Sequence, residues 1–132
     1  MKRIVMDIDD TLTVAGVSDY SDAPARTDVI AQLAQYREMG FRITLFTARN
    51  MRTYDGDLDK IRANTLPVIL QWLDVNDVPY DEVLIGKPWC GTEGFYVDDK
   101  AIRPDEFARM SYDEICALLN IDRTTDRSGR GD

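Results

Sequence analysis

The 132-residue sequence contains no histidine. That absence excludes every catalytic triad built on an imidazole and all His-ligated zinc sites. Only two cysteines occur, Cys90 and Cys116. They are too far apart for a CxxC pair and too few for a disulfide framework, so each is read as a free thiol. No run of about 18 apolar residues is present, and no apolar h-region precedes a small-residue cleavage site at the start. A membrane span and secretion are therefore not expected, and the cytoplasm is the expected compartment. Basic charge is scarce: 16 Lys and Arg stand against 24 Asp and Glu, a formal charge of −8. A global field that gathers nucleic acid or anionic lipid is thus not expected. Without histidine, a bound metal would rest on carboxylate and carbonyl oxygens, which favours a hard ion such as Mg2+.

With 44% hydrophobic residues, the chain can bury a core, but its length leaves little room for a second domain. A single catalytic domain is expected over residues 1–122. The remainder, 123–132, has no apolar periodicity and is expected to be disordered. Its final Arg130-Gly131-Asp132 is a coincidental adhesion-like tripeptide.

Residues 3–8 are β-branched and almost continuously apolar, as for a strand covered on both faces of a parallel sheet. A polar, turn-rich segment over about 13–25 follows. Val29, Leu33, Tyr36 and Met39 then recur at helical spacing before Gly40, a suitable helix stop. Residues 41–46 read as a second strand ending at Thr47, and 57–75 as a helix that Pro67 kinks or splits. Residues 83–85 make a third strand before Gly86-Lys87-Pro88, and Phe95-Tyr96-Val97 a fourth before Asp98-Asp99. A last helix starts at Ser111, where Ser111 and Glu114 match a capping box and Ile115, Leu118 and Leu119 supply the apolar side. Alternating strands and helices imply an α/β fold with a mainly parallel sheet.

The polar residues fall in one informative place. Asp7 and Asp9, Thr47, Lys87, and Asp98 with Asp99 each lie at or just past the C-terminal end of an expected strand, the edge at which open α/β sheets bind ligands. Carboxylates, a hydroxyl and an ammonium converging there suit phosphoryl transfer. Asp7 and Asp9 share a face of an extended segment and repel each other unless a cation or proton intervenes. With Mg2+ between them, Asp7 can attack phosphorus to form an acyl phosphate, and Asp9 can serve as acid and then base. Lys87 would neutralise the phosphoryl oxygens and Thr47 would hydrogen-bond them. Asp98 and Asp99 would complete the metal site.

Taken together, Asp7-Ile8-Asp9-Asp10-Thr11, Thr47 in Leu-Phe-Thr-Ala-Arg, Lys87 in Gly-Lys-Pro, and Asp98-Asp99 resemble, in order, the four motifs of the haloacid dehalogenase (HAD) superfamily. Within it the chain is most similar to short members resembling capsule-biosynthesis phosphatases, through Thr-Ala-Arg-Asn-Met-Arg-Thr-Tyr and Gly-Lys-Pro-Trp-Cys-Gly. The resemblance implies a Rossmann-like, three-layer sandwich and Asp7 as nucleophile and metal ligand. It further implies Asp9 as acid/base with its backbone carbonyl on the metal, and Asp98 as a direct ligand. The intervals that carry a cap domain in larger members hold only a loop and one helical segment, so the chain resembles a capless member. Its open site would then be covered by the loop around 14–24, by a neighbouring subunit in a homo-oligomer, or by the substrate.

Arg49, Arg52 and Arg103 stand close to the expected crevice. Arg49 is the candidate for a second anionic group of the substrate, with a surface ion pair as the competing reading. Trp89 could stack on a sugar or base, or simply pack. The expected substrate is a small phosphorylated sugar or polar metabolite, in capsule or surface-polysaccharide synthesis on the strength of the resemblance alone. A phospho-accepting receiver domain has similar parts, but it needs its acceptor on a middle strand and its Lys last, whereas Asp98-Asp99 follow Lys87. A phosphatase of nucleic-acid ends would also suit an open site, but the acidic charge and the lack of a Lys/Arg stripe count against it.

Overall fold

The apolar runs form three short parallel strands in a computed structural model that describes residues 2–16 and 22–123. The elements follow as β1 (Arg3–Met6), α1 (Thr27–Glu38), β2 (Arg42–Thr47), α2 (Leu58–Asn64), α3 (Leu66–Val75), β3 (Glu82–Ile85), α4 (Pro104–Arg109) and α5 (Tyr112–Leu119). The sheet order is β1-β2-β3, with Met6 beside Leu45 and Thr47 beside Ile85. The C-terminal ends of all three strands therefore lie on one edge. Ile43, Thr44, Leu45 and Thr47 of the central strand are buried on both faces, as parallel strands usually are.

The outer strands depart from that pattern. Double coverage was expected for β1, yet Val5 is 58% exposed, because β1 is an edge strand with no outer neighbour among the described residues. The expected fourth strand at 95–97 is not formed. There the segment joins no strand among the described residues, with Phe95 79% and Val97 88% exposed. Three apolar residues favour extension, but a strand also needs an edge to pair with, and here local contacts hold the segment elsewhere.

The helices follow their local signals. The apolar stripe of α1 buries Val29, Leu33 and Tyr36, and Gly40 at φ +93° turns the chain out of the helix. The helix expected over 57–75 is split at Thr65, with Asp57 capping α2 and Pro67 in the first turn of α3, where a missing N–H costs nothing. Ser111 and Glu114 form the anticipated capping box. The buried side of α5 is Ile115 and Cys116, however, while Leu118 faces solvent. The unanticipated α4 follows Arg103, whose N–H donates to Glu106, and Arg26 bridges Asp28 and Asp105 to tie α1 to α4.

One core gathers Met6, Ile43, Leu45, Leu33, Ile69, Leu73, Phe107 and Ile115 from sheet and helices. Tyr36 packs its ring on Phe41, Phe107 and Tyr112. Trp72, buried beside Leu73, donates its indole N–H to the carbonyl of Ala23, whereas Leu70 stays partly exposed. The tail expected to be disordered beyond residue 123, and part of the loop expected to cover the site, lie outside the described residues.

Candidate functional site

The chain turns sharply after β1. The carbonyl of fully buried Ile8 accepts from the N–H groups of Thr11, Leu12 and Thr13. Asp10 takes a left-handed backbone at φ +63°, and its N–H donates to Thr13 Oγ1 at 2.8 Å. This turn holds Asp7 and Asp9 at the strand end and brings Thr11 back, so that its hydroxyl donates to Asp7 Oδ2 at 3.3 Å. Asp7 is one third exposed, open enough to meet a ligand.

The neighbouring strands deliver cations to the same place. Gly86, at φ +87°, lies so close to α2 that a Cβ there would stand 3.0 Å from Leu58 Cδ2. The turn it permits sets Lys87, whose N–H donates to the carbonyl of Thr47, with its Nζ 3.8 Å from Asp7 Oδ1. From the loop after β2, Arg49 reaches Asp9 through both Nε, at 3.1 Å to each oxygen, and a second nitrogen at 2.6 Å. Its side chain is 5% exposed and that of Asp9 17%. Arg49 is therefore largely buried and grips Asp9 at the cavity that it helps to line.

A cavity of about 690 Å³ opens over these groups, lined among others by Asp7, Asp9, Asp10, Arg49, Lys87, Trp89 and Tyr96. Burial pushes the Asp7 carboxyl above the usual carboxylate value. The ammonium of Lys87, the Ile8 N–H and the Thr11 hydroxyl pull it back, while the charge of Asp9 adds to the rise. Trp89 stacks on the guanidinium of Arg52, with the cation 5.5 Å from the ring centroid.

Three expected participants lie off the cavity lining. Thr47 is buried and is not on the cavity lining; its Oγ1 accepts from the N–H of Arg49 and so shapes that loop. Asp98 and Asp99 are exposed in the unpaired segment, away from the lining, and Asp98 accepts from the N–H of Lys100. Tyr96 holds that segment back: its ring lies 4.4 Å from Lys87 Nζ and its hydroxyl donates to the carbonyl of Pro88 at 2.6 Å. Gly94 approaches so near that a Cβ would lie 2.1 Å from the Cys90 carbonyl oxygen.

The chemistry of Asp7 and Asp9 suits a hard cation. Among the described residues no group of three His, Cys, Asp or Glu comes together to hold a metal ion. Thr11, Tyr96 and Asn50 also belong here. Thr11 was legible from its place four residues after Asp7, whereas Tyr96 and Asn50 have no local signature. Asn50, on the lining at φ +61°, accepts from Thr65 Oγ1 and donates to Thr53 Oγ1.

Comparison with known proteins gives two structural likenesses. A crystal structure of an MCSG target from Vibrio cholerae is 55% identical, covering 91% of this chain and 98% of its own, with a TM-score of 0.89. A chain of the Pnkp1/Rnl/Hen1 complex is 17% identical over 83% of this chain and 34% of its own, with a TM-score of 0.50, a likeness of fold alone. No protein-family model and no curated protein matches the chain.

Proposed function

The chain belongs to the family of the Vibrio cholerae target protein, and we propose that it is a phosphomonoester hydrolase working through an aspartyl phosphate on Asp7. The observation that carries the reading is the meeting of Asp7 and Asp9, from the end of β1, with Lys87, from the end of β3, at one cavity. The finer reading places it among HAD-type phosphatases with a Rossmann-like three-layer sandwich and no cap. It would act in the cytoplasm on a small phosphorylated sugar or polar metabolite, with capsule or surface-polysaccharide synthesis as the setting the resemblance favours.

The steps follow from the side chains. Asp7 Oδ1 or Oδ2 forms a bond to phosphorus as the bond from phosphorus to the substrate oxygen breaks. Lys87 balances the charge on the phosphoryl oxygens, and Thr11 orients the nucleophile. Asp9 gives the leaving oxygen its proton, which requires the pair with Arg49 to open, and then takes a proton from the water that hydrolyses the acyl phosphate. The Asp7 carboxylate and inorganic phosphate result. A Mg2+ ion would be held by the Asp7 carboxylate and the Asp9 backbone carbonyl, with Asp98 and Asp99 as the expected remaining ligands. Bound there, it would supply charge neutralisation between carboxylate and phosphate.

The test is a panel of sugar phosphates, nucleotides and phosphorylated acids with added Mg2+, scored by phosphate release. At least one substrate should be hydrolysed, with loss in chelator and in Asp7→Asn. Near-normal turnover by folded Asp7→Asn would sink the reading.

A further inference from the structure

A phosphate group fills only part of the cavity. Its volume of about 690 Å³ is that of a site for a whole small molecule, and Asp7, Asp9 and Lys87, the groups that would meet phosphorus, leave further lining unused. That lining includes Arg52 and Thr53 from the loop after β2, Asn64 from the end of α2, and Trp89.

The cations of the cavity are committed unequally. Arg49 grips Asp9, and Lys87 stands 3.8 Å from Asp7. Away from the cavity, Arg26, Arg37 and Arg62 each have a carboxylate partner as well. Arg52 has none within ion-pair reach among the described residues, and its guanidinium lies over the Trp89 ring, 5.5 Å from the centroid. A ring against one face steadies a guanidinium and leaves its N–H edge free, and that edge is the part that binds oxyanions. The next residue adds a donor. Thr53 Oγ1 accepts from the Asn50 amide, which leaves the hydroxyl's own proton for another acceptor.

We propose that the substrate carries a carboxylate on the part that leaves phosphorus, bound by the Arg52 fork with Thr53 as a second donor, while Trp89 holds the guanidinium. Arg49, the expected partner for a second anion, is committed to Asp9, and Arg52 takes that place. One free cation matches one charge, and the planar fork matches a planar carboxylate, so a second phosphate fits less well. The substrate is thus a phosphorylated hydroxy acid and not a neutral sugar phosphate. Only the phosphoryl end of this assignment rests on the proposed function.

Titration calorimetry on the Asp7→Asn protein, which does not turn its ligand over on the proposed mechanism, tests the subsite without relying on phosphate release. The probes are 3-phosphoglycerate with glycerol 3-phosphate, and 6-phosphogluconate with sorbitol 6-phosphate, each pair differing at the carboxylate. In at least one pair the acid should bind about 10-fold tighter or more. Adding Arg52→Met should bring that acid to the affinity of its neutral partner, and Arg52→Lys should recover only part of the preference. Arg52 is exposed, so circular dichroism should match in all three proteins. Equal affinity within both pairs, no binding at all, or an acid preference that survives Arg52→Met overturns the subsite. Tighter binding of fructose 1,6-bisphosphate than of either acid overturns the carboxylate. An acid-selective protein whose wild type releases no phosphate would sink the phosphatase and keep the subsite, and a phosphatase without acid preference would do the reverse.

Discussion

Replacing Arg49 separates two roles that a sequence cannot tell apart. If Arg49 holds Asp9, as its three contacts of 2.6 to 3.1 Å show, Arg49→Ala leaves a largely buried carboxylate without its fork of donors. Breaking a buried pair from one side costs about 3–5 kcal/mol. The cavity lets water reach Asp9, which is 17% exposed, so the expected loss is nearer about 2–3 kcal/mol. At roughly 4 °C per kcal/mol for a domain of this size, Tm should fall by about 8–12 °C. Thermal unfolding followed by circular dichroism measures it. Arg49→Lys should recover little, because an ammonium cannot reproduce the planar fork. Arg49→Met with Asp9→Leu should recover most of the loss, because no unpaired charge is then left buried. A Tm of Arg49→Ala within about 2 °C of wild type, joined to a raised KM, would refute the reasoning and return Arg49 to the substrate.

Other outcomes follow from the same geometry. The Asp7 carboxyl is held above the ordinary carboxylate range, so the stability it contributes is complete below that range and is lost as pH rises through the folded pKa. Asp7→Asn should accordingly melt higher than wild type at neutral pH, with the difference gone near about pH 3. In the active protein, phosphate release should fall on the acid side as Asp7 takes its proton. Lys87→Met removes a charge that lowers the Asp7 pKa. Its pH profile should show that acid limb displaced to higher pH, together with a loss in kcat on the order of 100-fold. Ser111→Ala removes the cap that accepts from the Glu114 N–H and should cost about 1 kcal/mol, or about 4 °C in Tm, with phosphate release unchanged.

Features set by neighbouring residues were legible in the sequence, and those set by distant partners were not. The helix stop at Gly40, the break near Pro67 and the capping box of Ser111 and Glu114 depend on a few consecutive residues, and all three stand in the structure. The strand ends that carry Asp7, Thr47 and Lys87 were readable because apolar runs stop abruptly there. Which way each side chain then faces was not. Thr47 turns under the sheet edge to hold the Arg49 N–H, a contact made by a loop whose shape no periodicity reports. The face of α5 slipped for a similar reason: Cys116 packs inward and Leu118 outward, and only the position of the neighbouring core decides between them.

The residues at 95–97 show where such reading stops. Phe95, Tyr96 and Val97 have the composition of a strand, and composition specifies an extended backbone. Pairing is a separate, non-local choice, made by whichever edge supplies hydrogen bonds and an apolar face. Within one chain the contacts of Tyr96 with Lys87 and Pro88 compete with that choice and leave the segment bare. Asp98 and Asp99 follow that segment, so where they lie depends on its contacts and not on their own chemistry.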